Sequence, residues 1–307
     1  MLAFQAGVRG EVFMSSSVYM TVMEDFQMNS HADWLQLLVR CKDNVKTHIR
    51  PLLKTLGEPQ PDLGKGAGGD PMKLVDLAAE KAIVEVLLDD NISFSLISEE
   101  SGVKEFGDAP TQCYVTVDPI DGTTNLVRGI PFYASSIAIS RKPILSEVYS
   151  ALVADLFRNT TYTAQKGEGA YRDGKKIRPS KASSLEEAVV GLDLNTYKVK
   201  EIAPQLTDLI QETKHIRHFG ANALELCYVA EGLTDAFVDI RGKLRTTDAA
   251  AGFLILREAG GTITTPEGYA LDVKLDPQQK IKFIASGNPR IHEAILDLIK
   301  PKKENKC

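Results

Sequence analysis

Cysteine is scarce. The 307 residues hold four, Cys41, Cys113, Cys227 and Cys307, with no two at a paired spacing. That excludes a Cys-x-x-Cys metal cluster, argues against a disulfide framework and fits a reducing cytoplasm. Histidine is nearly as thin, with His31, His48, His215, His218 and His292. The close pair His215 and His218 has no cysteine or carboxylate motif around it. A zinc site is therefore not indicated, and the histidines read as surface or packing residues. Basic excess is also missing: 36 Lys+Arg stand against 41 Asp+Glu, a net charge of −5. With no basic stripe, a nucleic-acid partner is not expected. No apolar run is long enough to span a bilayer, so no membrane partner is expected either.

What remains is an ordinary globular balance, 43% hydrophobic and 25% charged, in a chain long enough for two domains or one two-lobed one. Residues 1–28 lack the basic start and continuous apolar core of a signal peptide and read as a poorly ordered extension. A helix capped by Ser30 is expected through Trp34, Leu38, Val45 and Ile49, ended by Pro51. The Gly/Pro-rich stretch 57–71, with Lys65, reads as a loop. A second helix over 73–88 turns Leu77, Val84 and Leu87 inward and places Asp76 in its first turn, where a negative charge suits the helix dipole. Strands are expected at 92–100, at "CYVTVDPIDG" and at 133–140. Strand-turn-strand text then runs over 144–177, giving a largely antiparallel sheet with helices laid on it.

Near Ser183 the text changes to strand-helix alternation: strands at 188–194, 215–220, 234–241 and 282–287, and helices at 200–214, 222–232, 246–261 and 291–300. That implies an α/β arrangement. The expected organisation is an α+β lobe over 29–183, an α/β lobe over 184–301, and a basic tail over 302–307.

Four carboxylates stand where α/β proteins build sites, at strand ends and helix starts: Glu99, Asp118, Asp121 and Asp248. Two unit charges ~4 Å apart repel by about 1–4 kcal/mol. Convergence of all four therefore calls for divalent cations, and an all-oxygen ligand set selects Mg²⁺, Mn²⁺ or Ca²⁺. Asp118 would bridge two ions, with the Ile120 carbonyl adding a neutral ligand. Gly122, Thr123 and Thr124 follow at once. A helix starting at Thr123 would offer free N–H groups as a phosphate seat. Metal beside a phosphate seat points to phosphate-ester hydrolysis, with Thr123 holding a water and Asp76 or Glu99 taking its proton. Taken singly, each of these acids is as readily a helix cap, a turn former or a solvated charge, and Asp248 alone reads first as a cap.

"DPIDGTTN" (118–125), "SEE" (98–100), "TTDAAAG" (246–252) and "GDPMKLVD" (69–76) together resemble the signatures of the inositol monophosphatase family of magnesium-dependent, lithium-sensitive phosphatases. The likeness runs in order from about Ser30 to Lys300. It implies a layered αβαβα sandwich of the sugar-phosphatase type with the site between the lobes. It assigns Glu99, Asp118, the Ile120 carbonyl, Asp121 and Asp248 to about two or three Mg²⁺ ions, with Mn²⁺ as the substitute. It gives Asp76 and Thr123 to water activation, with Glu99 beside them, and implies direct attack by water, a small phosphorylated sugar or polyol as substrate, and a homodimer. Asp121, Gly122 and Thr123 would also touch substrate.

Two departures carry information. Thr247 stands where the family motif usually has Trp. Arg241 stands where animal members carry a glutamate that bonds an inositol hydroxyl; an arginine cannot accept that bond but can fork onto a phosphate. Arg217 offers a second fork, and Asn222 would line the same pocket. The pair resembles the archaeal dual-function type, which acts on inositol-1-phosphate and fructose 1,6-bisphosphate; surface ion pairing is the plainer account of either arginine. A 3′(2′),5′-bisphosphate nucleotidase is the alternative within the superfamily, with Tyr197 as an adenine platform. A haloacid-dehalogenase-type phosphatase would space its two carboxylates one residue apart, which Asp118 and Asp121 do not. A non-catalytic phosphosugar or metal binder would be marked by a lost ligand or a lost Thr123, and neither is lost.

Overall fold

Helix α1 (His31–Ile49) buries Leu37, Leu38, Cys41, Val45 and Ile49, a stripe at helical spacing. It stops just before Pro51, which opens a short 3₁₀ turn at Leu52–Lys54. The computed structural model describes residues 31–56, 61–108, 111, 113–195 and 197–299. The expected extension at 1–28, the Ser30 cap and the 302–307 tail lie outside the described residues.

Helix α2 (Leu74–Asp89) packs on α1 through Val75, Ala79, Ile83 and Leu87. Leu77 and Val84, expected to face inward, are only half-buried. The inward stripe is rotated because the helix also buries Asp76 and Glu80, which belong to the site.

These helices cover one face of an eight-stranded sheet made of β1 (Phe94–Ser98), β2 (Gly102–Phe106), β3 (Cys113–Asp121), β4 (Ala134–Ser140), β5 (Val148–Asp155), β6 (Thr160–Gln165), β7 (Gly169–Arg172) and β8 (Lys175–Lys176). Its order is β2-β1-β3-β4-β5-β6-β7-β8, and every pairing is antiparallel except β1 with β3. β2 was not expected from sequence. It is an edge strand carrying exposed Val103, Lys104 and Glu105 and has no buried alternation to announce it. Glu99 and Glu100, expected to end the β1 strand, lie in the turn after it.

A short helix α3 (Thr123–Arg128) follows β3. The second sheet holds β9 (Val189–Leu192), β10 (His215–Arg217), β11 (Ala236–Asp239), β12 (Thr262–Thr264) and β13 (Phe283–Ser286), in the order β10-β9-β11-β13-β12. β10, β9 and β11 are parallel, while β13 and β12 run antiparallel. β12, only three residues long, was also missed.

Helices α4 (Val199–Glu212) and α7 (Pro289–Ile299) cover the outer face of this sheet through Ile202, Leu206, Leu209, Ile291 and Ile295. Helices α5 (Asn222–Glu231) and α6 (Thr246–Ala259) fill the space between the sheets. Their Leu226, Val229, Ala250 and Phe253 share one core with Ala138, Val153 and Ala164 of the first sheet and Phe237, Phe283 and Ala285 of the second. The layers are therefore α1/α2, sheet, α5/α6, sheet, α4/α7, the expected αβαβα sandwich. Residues 183–184 separate the two sheets in sequence, yet α5 and α6 serve both. Among the described residues no helix is long and apolar enough to cross a membrane.

The central layer leaves little room. A Cβ built on Gly252 of α6 would lie 2.8 Å from Leu226 Cβ in α5. Gly252→Ala is expected to destabilise the fold by about 1–3 kcal/mol, as overpacking does. Urea unfolding checks this through a lowered midpoint with the slope unchanged.

Candidate active site

A regular strand sends residues three apart to opposite faces. Asp118 and Asp121 are three apart in β3, yet both are buried and both line the same cavity. The register explains this. Asp118 pairs with Ser136 but Asp121 with Ala134, so β3 carries one extra residue in a bulge between them. Both carboxylates thus lie within one bulged strand.

Gly122 then adopts φ 86°, and α3 starts at Thr123. A Cβ at Gly122 would lie 3.0 Å from Ala221 Cβ and 3.1 Å from the Phe132 carbonyl oxygen, so glycine is required twice over. The first turn of a helix leaves N–H groups without internal partners, and here Thr123 and Thr124 line the cavity.

The cavity, about 530 Å³, lies where the first sheet meets the starts of α3, α5 and α6. Glu99, from the turn after β1, Asp118, from β3, and Asp248, from the first turn of α6, each bring a carboxylate oxygen within 4.8 Å of the others. Asp121 is held differently. Its two oxygens accept the Asn222 N–H at 2.9 Å and the Ala223 N–H at 2.7 Å, capping α5 from a distant strand. The Ile120 carbonyl accepts from the Thr123 hydroxyl at 2.9 Å, and that hydroxyl also lies 3.1 Å from Asp76 Oδ1.

Electrostatics agrees with this crowding. Burial, then the neighbouring Asp248, pushes Glu99 up to about 9. Burial, then Glu99 and Asp121, pushes Asp118 well above the carboxylate range. Burial and Asp248 take Asp121 up to about 7 despite its two backbone bonds. Asp248 is raised by burial against the pull of Arg245. Asp76 is raised by burial to about 6, and Glu100, beside Asp76 and Glu80, to about 8. Two buried carboxylates and one half-buried one, converging with oxygen donors alone, fit a hard divalent cation.

The arginines stand otherwise than expected. The Arg241 side chain is buried, and its guanidinium donates to Asp239 at 3.0 and 2.7 Å and to Asp193. Flanked by two carboxylates and absent from the cavity wall, it is not a free phosphate fork. Arg217 is exposed, bonds its neighbour's Ile216 carbonyl and does not line the cavity. Asn222 does line it. Tyr197 lies off the cavity, with the Lys198 ammonium 5.5 Å from its ring centroid. Asn222 Oδ1, on the cavity wall, is a buried acceptor without a donor among the described residues. A donor-bearing hydroxyl suits it better than an anion.

Five charged residues of the cavity wall were given no role from the sequence: Asp70, Lys73, Glu100, Arg128 and Arg245. Arg245 had a signal. It stands three residues before Asp248, and its N–H donates to the Asp248 carboxylate at 3.0 Å across the start of α6.

Comparison with known proteins places these features. The profile of the inositol monophosphatase family matches residues 40–304. A fructose-1,6-bisphosphatase/inositol-1-monophosphatase of Methanothermobacter thermautotrophicus is 36% identical over 276 residues, covering 87% of this chain and 96% of that one. A bifunctional NADP phosphatase/NAD kinase of Methanococcus maripaludis is 33% identical over 287 residues, covering 87% of this chain and 49% of that protein. A solved inositol monophosphatase-fructose 1,6 bisphosphatase superposes with a TM-score of 0.74 at 30% identity, covering 86% of this chain and 99% of that one.

Proposed function

This chain belongs to the inositol monophosphatase family and is a phosphoric monoester hydrolase, and from that premise we propose a magnesium-dependent enzyme that releases phosphate from inositol-1-phosphate and from fructose 1,6-bisphosphate by direct attack of water. The observation that carries the reading is the meeting of Glu99, Asp118 and Asp248 beside the turn at 122–124. Glu99, Asp118 and Asp248 would hold magnesium, with Asp121 and the Ile120 carbonyl adjoining. Bound magnesium supplies charge neutralisation of the phosphoryl oxygens and a more acidic water.

The chain's own residues do the rest. The N–H groups at the start of α3 receive phosphate oxygens. The Thr123 hydroxyl, within reach of Asp76, orients the attacking water. Asp76, with its acidity near 6, is ionised at pH 7 and accepts the proton. Asn222 offers an acceptor to a polyol hydroxyl. Because Asp193 and Asp239 already neutralise Arg241, the second phosphate of a bisphosphate is left to Lys73 and Arg128 on the cavity wall and to the exposed Arg217 beyond it. The cytoplasmic setting and the homodimer that the resemblance implies belong to the same proposal.

A side-by-side phosphate-release assay tests it, with inositol-1-phosphate, fructose 1,6-bisphosphate, adenosine 3′,5′-bisphosphate and NADP as substrates. The expected order places inositol-1-phosphate first and fructose 1,6-bisphosphate second, with all turnover lost on chelation and restored by Mg²⁺. Arg217→Ala should reduce the bisphosphate reaction by about 10-fold, the worth of a charge-assisted bond, and spare the monophosphate. A lead for either nucleotide would move the enzyme to the nucleotide-phosphatase branch, with the Methanococcus relative as its precedent. Tight Mg²⁺ binding without turnover on any of the four would make the chain a binder.

A further inference from the structure

Residues 64–72 form a small hairpin that supplies one wall of the cavity through Asp70 and Pro71. Within it Lys65 pairs with Pro71, the Gly66 N–H bonds the Asp70 carbonyl at 2.9 Å and the Met72 N–H bonds the Gly64 carbonyl at 3.1 Å. No side chain of the hairpin is fully buried, so burial of apolar surface does not fix it.

Polar contacts do. Two of its amides bond the turn that carries a cluster carboxylate: Ala67 N–H to the Glu100 carbonyl at 2.9 Å and Gly68 N–H to the Glu99 carbonyl at 2.8 Å. The rest comes from one side chain in the other half of the chain. The nearly buried Arg245 guanidinium donates to the Gly68 carbonyl at 3.1 and 2.8 Å, to the Asp70 carboxylate, and through Nη1 to Glu99 Oε1 at 2.7 Å. A planar fork with donors on three sides can grip hairpin and carboxylate at once. The same Glu99 carboxylate offers an oxygen to the cluster with Asp118 and Asp248.

We propose that Arg245 is a positioning residue that couples docking of the 64–72 hairpin to cation binding at Glu99, Asp118 and Asp248, so that each favours the other. The inference rests on the metal-dependent reading of the site. By linkage the coupling is reciprocal: a cation that fixes Glu99 fixes Arg245 and with it the hairpin, and a docked hairpin presents Glu99 in place.

Amide hydrogen exchange on the full chain, with and without Mg²⁺, tests this. In the native protein Mg²⁺ should slow exchange at Ala67 and Gly68 by at least about 10-fold, leaving α4 and α7, on the outer face of the second sheet, unchanged. In Arg245→Gln those two amides should exchange fast with or without Mg²⁺. The Mg²⁺ dissociation constant should rise about 10- to 100-fold by calorimetry, as when the partner of a metal ligand is lost. The half-saturating Mg²⁺ concentration in turnover should rise in parallel with that dissociation constant.

Gly68→Ala is the second probe. Its Cβ would lie 2.6 Å from Arg245 Nε and 2.9 Å from Glu99 Cγ, so it forces the clasp open while leaving Arg245 in place. It should reproduce the Arg245→Gln pattern, and does so independently if that variant fails to fold. Magnesium-dependent protection that survives both substitutions, or tighter Mg²⁺ binding in Arg245→Gln, would overturn the coupling. Failure of the native protein to bind Mg²⁺ would instead strike the metal reading, and the cation-free difference in hairpin exchange between native and Arg245→Gln would still report the clasp.

Discussion

Asparagine in place of Asp118 is expected to lower phosphate release by about 10³-fold or more while raising the melting temperature of the cation-free protein. The two effects share one cause. Asp118 sits at the centre of the acidic cluster, with Glu99, Asp121 and Asp248 all raising its pKa. Stabilisation of transition-state charge by a bound cation is worth several kcal/mol, and each 1.36 kcal/mol is a factor of ten in rate. Without the cation the same carboxylate is a liability, because burial and like charge oppose its ionised form.

The sign of the pH dependence follows. Folded carboxyls with raised pKa values, about 9 for Glu99 and about 7 for Asp121, hold protons that the unfolded chain releases near 4. Stability of the cation-free protein therefore falls as pH rises from about 4 through 7 and on towards 9. Scanning calorimetry in chelator at pH 6 and pH 9 should show the native protein melting lower at pH 9, Asp118→Asn reducing that gap, and Mg²⁺ restoring the native protein most at pH 9. An equal melting temperature for native and variant at pH 9 without cation would mean that the carboxylates are not crowded.

Asp76→Asn carries the second large effect, a fall in kcat of about 10²–10⁴-fold, the range for loss of a positioned base. Asp76 is outside the three-carboxylate cluster and touches Thr123 instead, so Mg²⁺ affinity should change little. The pH profile separates the roles. In the native enzyme kcat/KM should rise with pH through a limb near 6, where Asp76 loses its proton. The variant should lack that limb. A limb that persists unchanged in Asp76→Asn would assign proton acceptance to another group, with Glu100 the nearest candidate in the same wall.

Much of this site was legible in the sequence because its residues are local. Asp118, Asp121, Gly122 and Thr123 lie within six positions, and their types alone state a charge problem and a phosphate seat. The bulge that turns Asp118 and Asp121 to one side was not legible, since it is defined by register against β4. The buried setting of Arg241 was not legible for a similar reason. Its partner Asp239 is two residues away, but Asp193 is 48 away and meets it only because β9 and β11 are neighbours in the second sheet. Arg245 was passed over because its contacts, Gly68, Asp70 and Glu99, come from the opposite half of the chain. The layered fold was readable from alternating strands and helices. β2 and β12 were not, one being an exposed edge and the other too short to show a period.

The central helix layer has a consequence for how the protein is made. The inner face of the first sheet, built by residue 176, stays uncovered until α5 (Asn222–Glu231) and α6 (Thr246–Ala259) have been synthesised. A nascent chain halted before α6 would present a broad oily sheet to its surroundings. Holding factors at the ribosome should therefore engage the first half of this chain, and premature-stop products should be cleared rather than accumulate as soluble half-proteins.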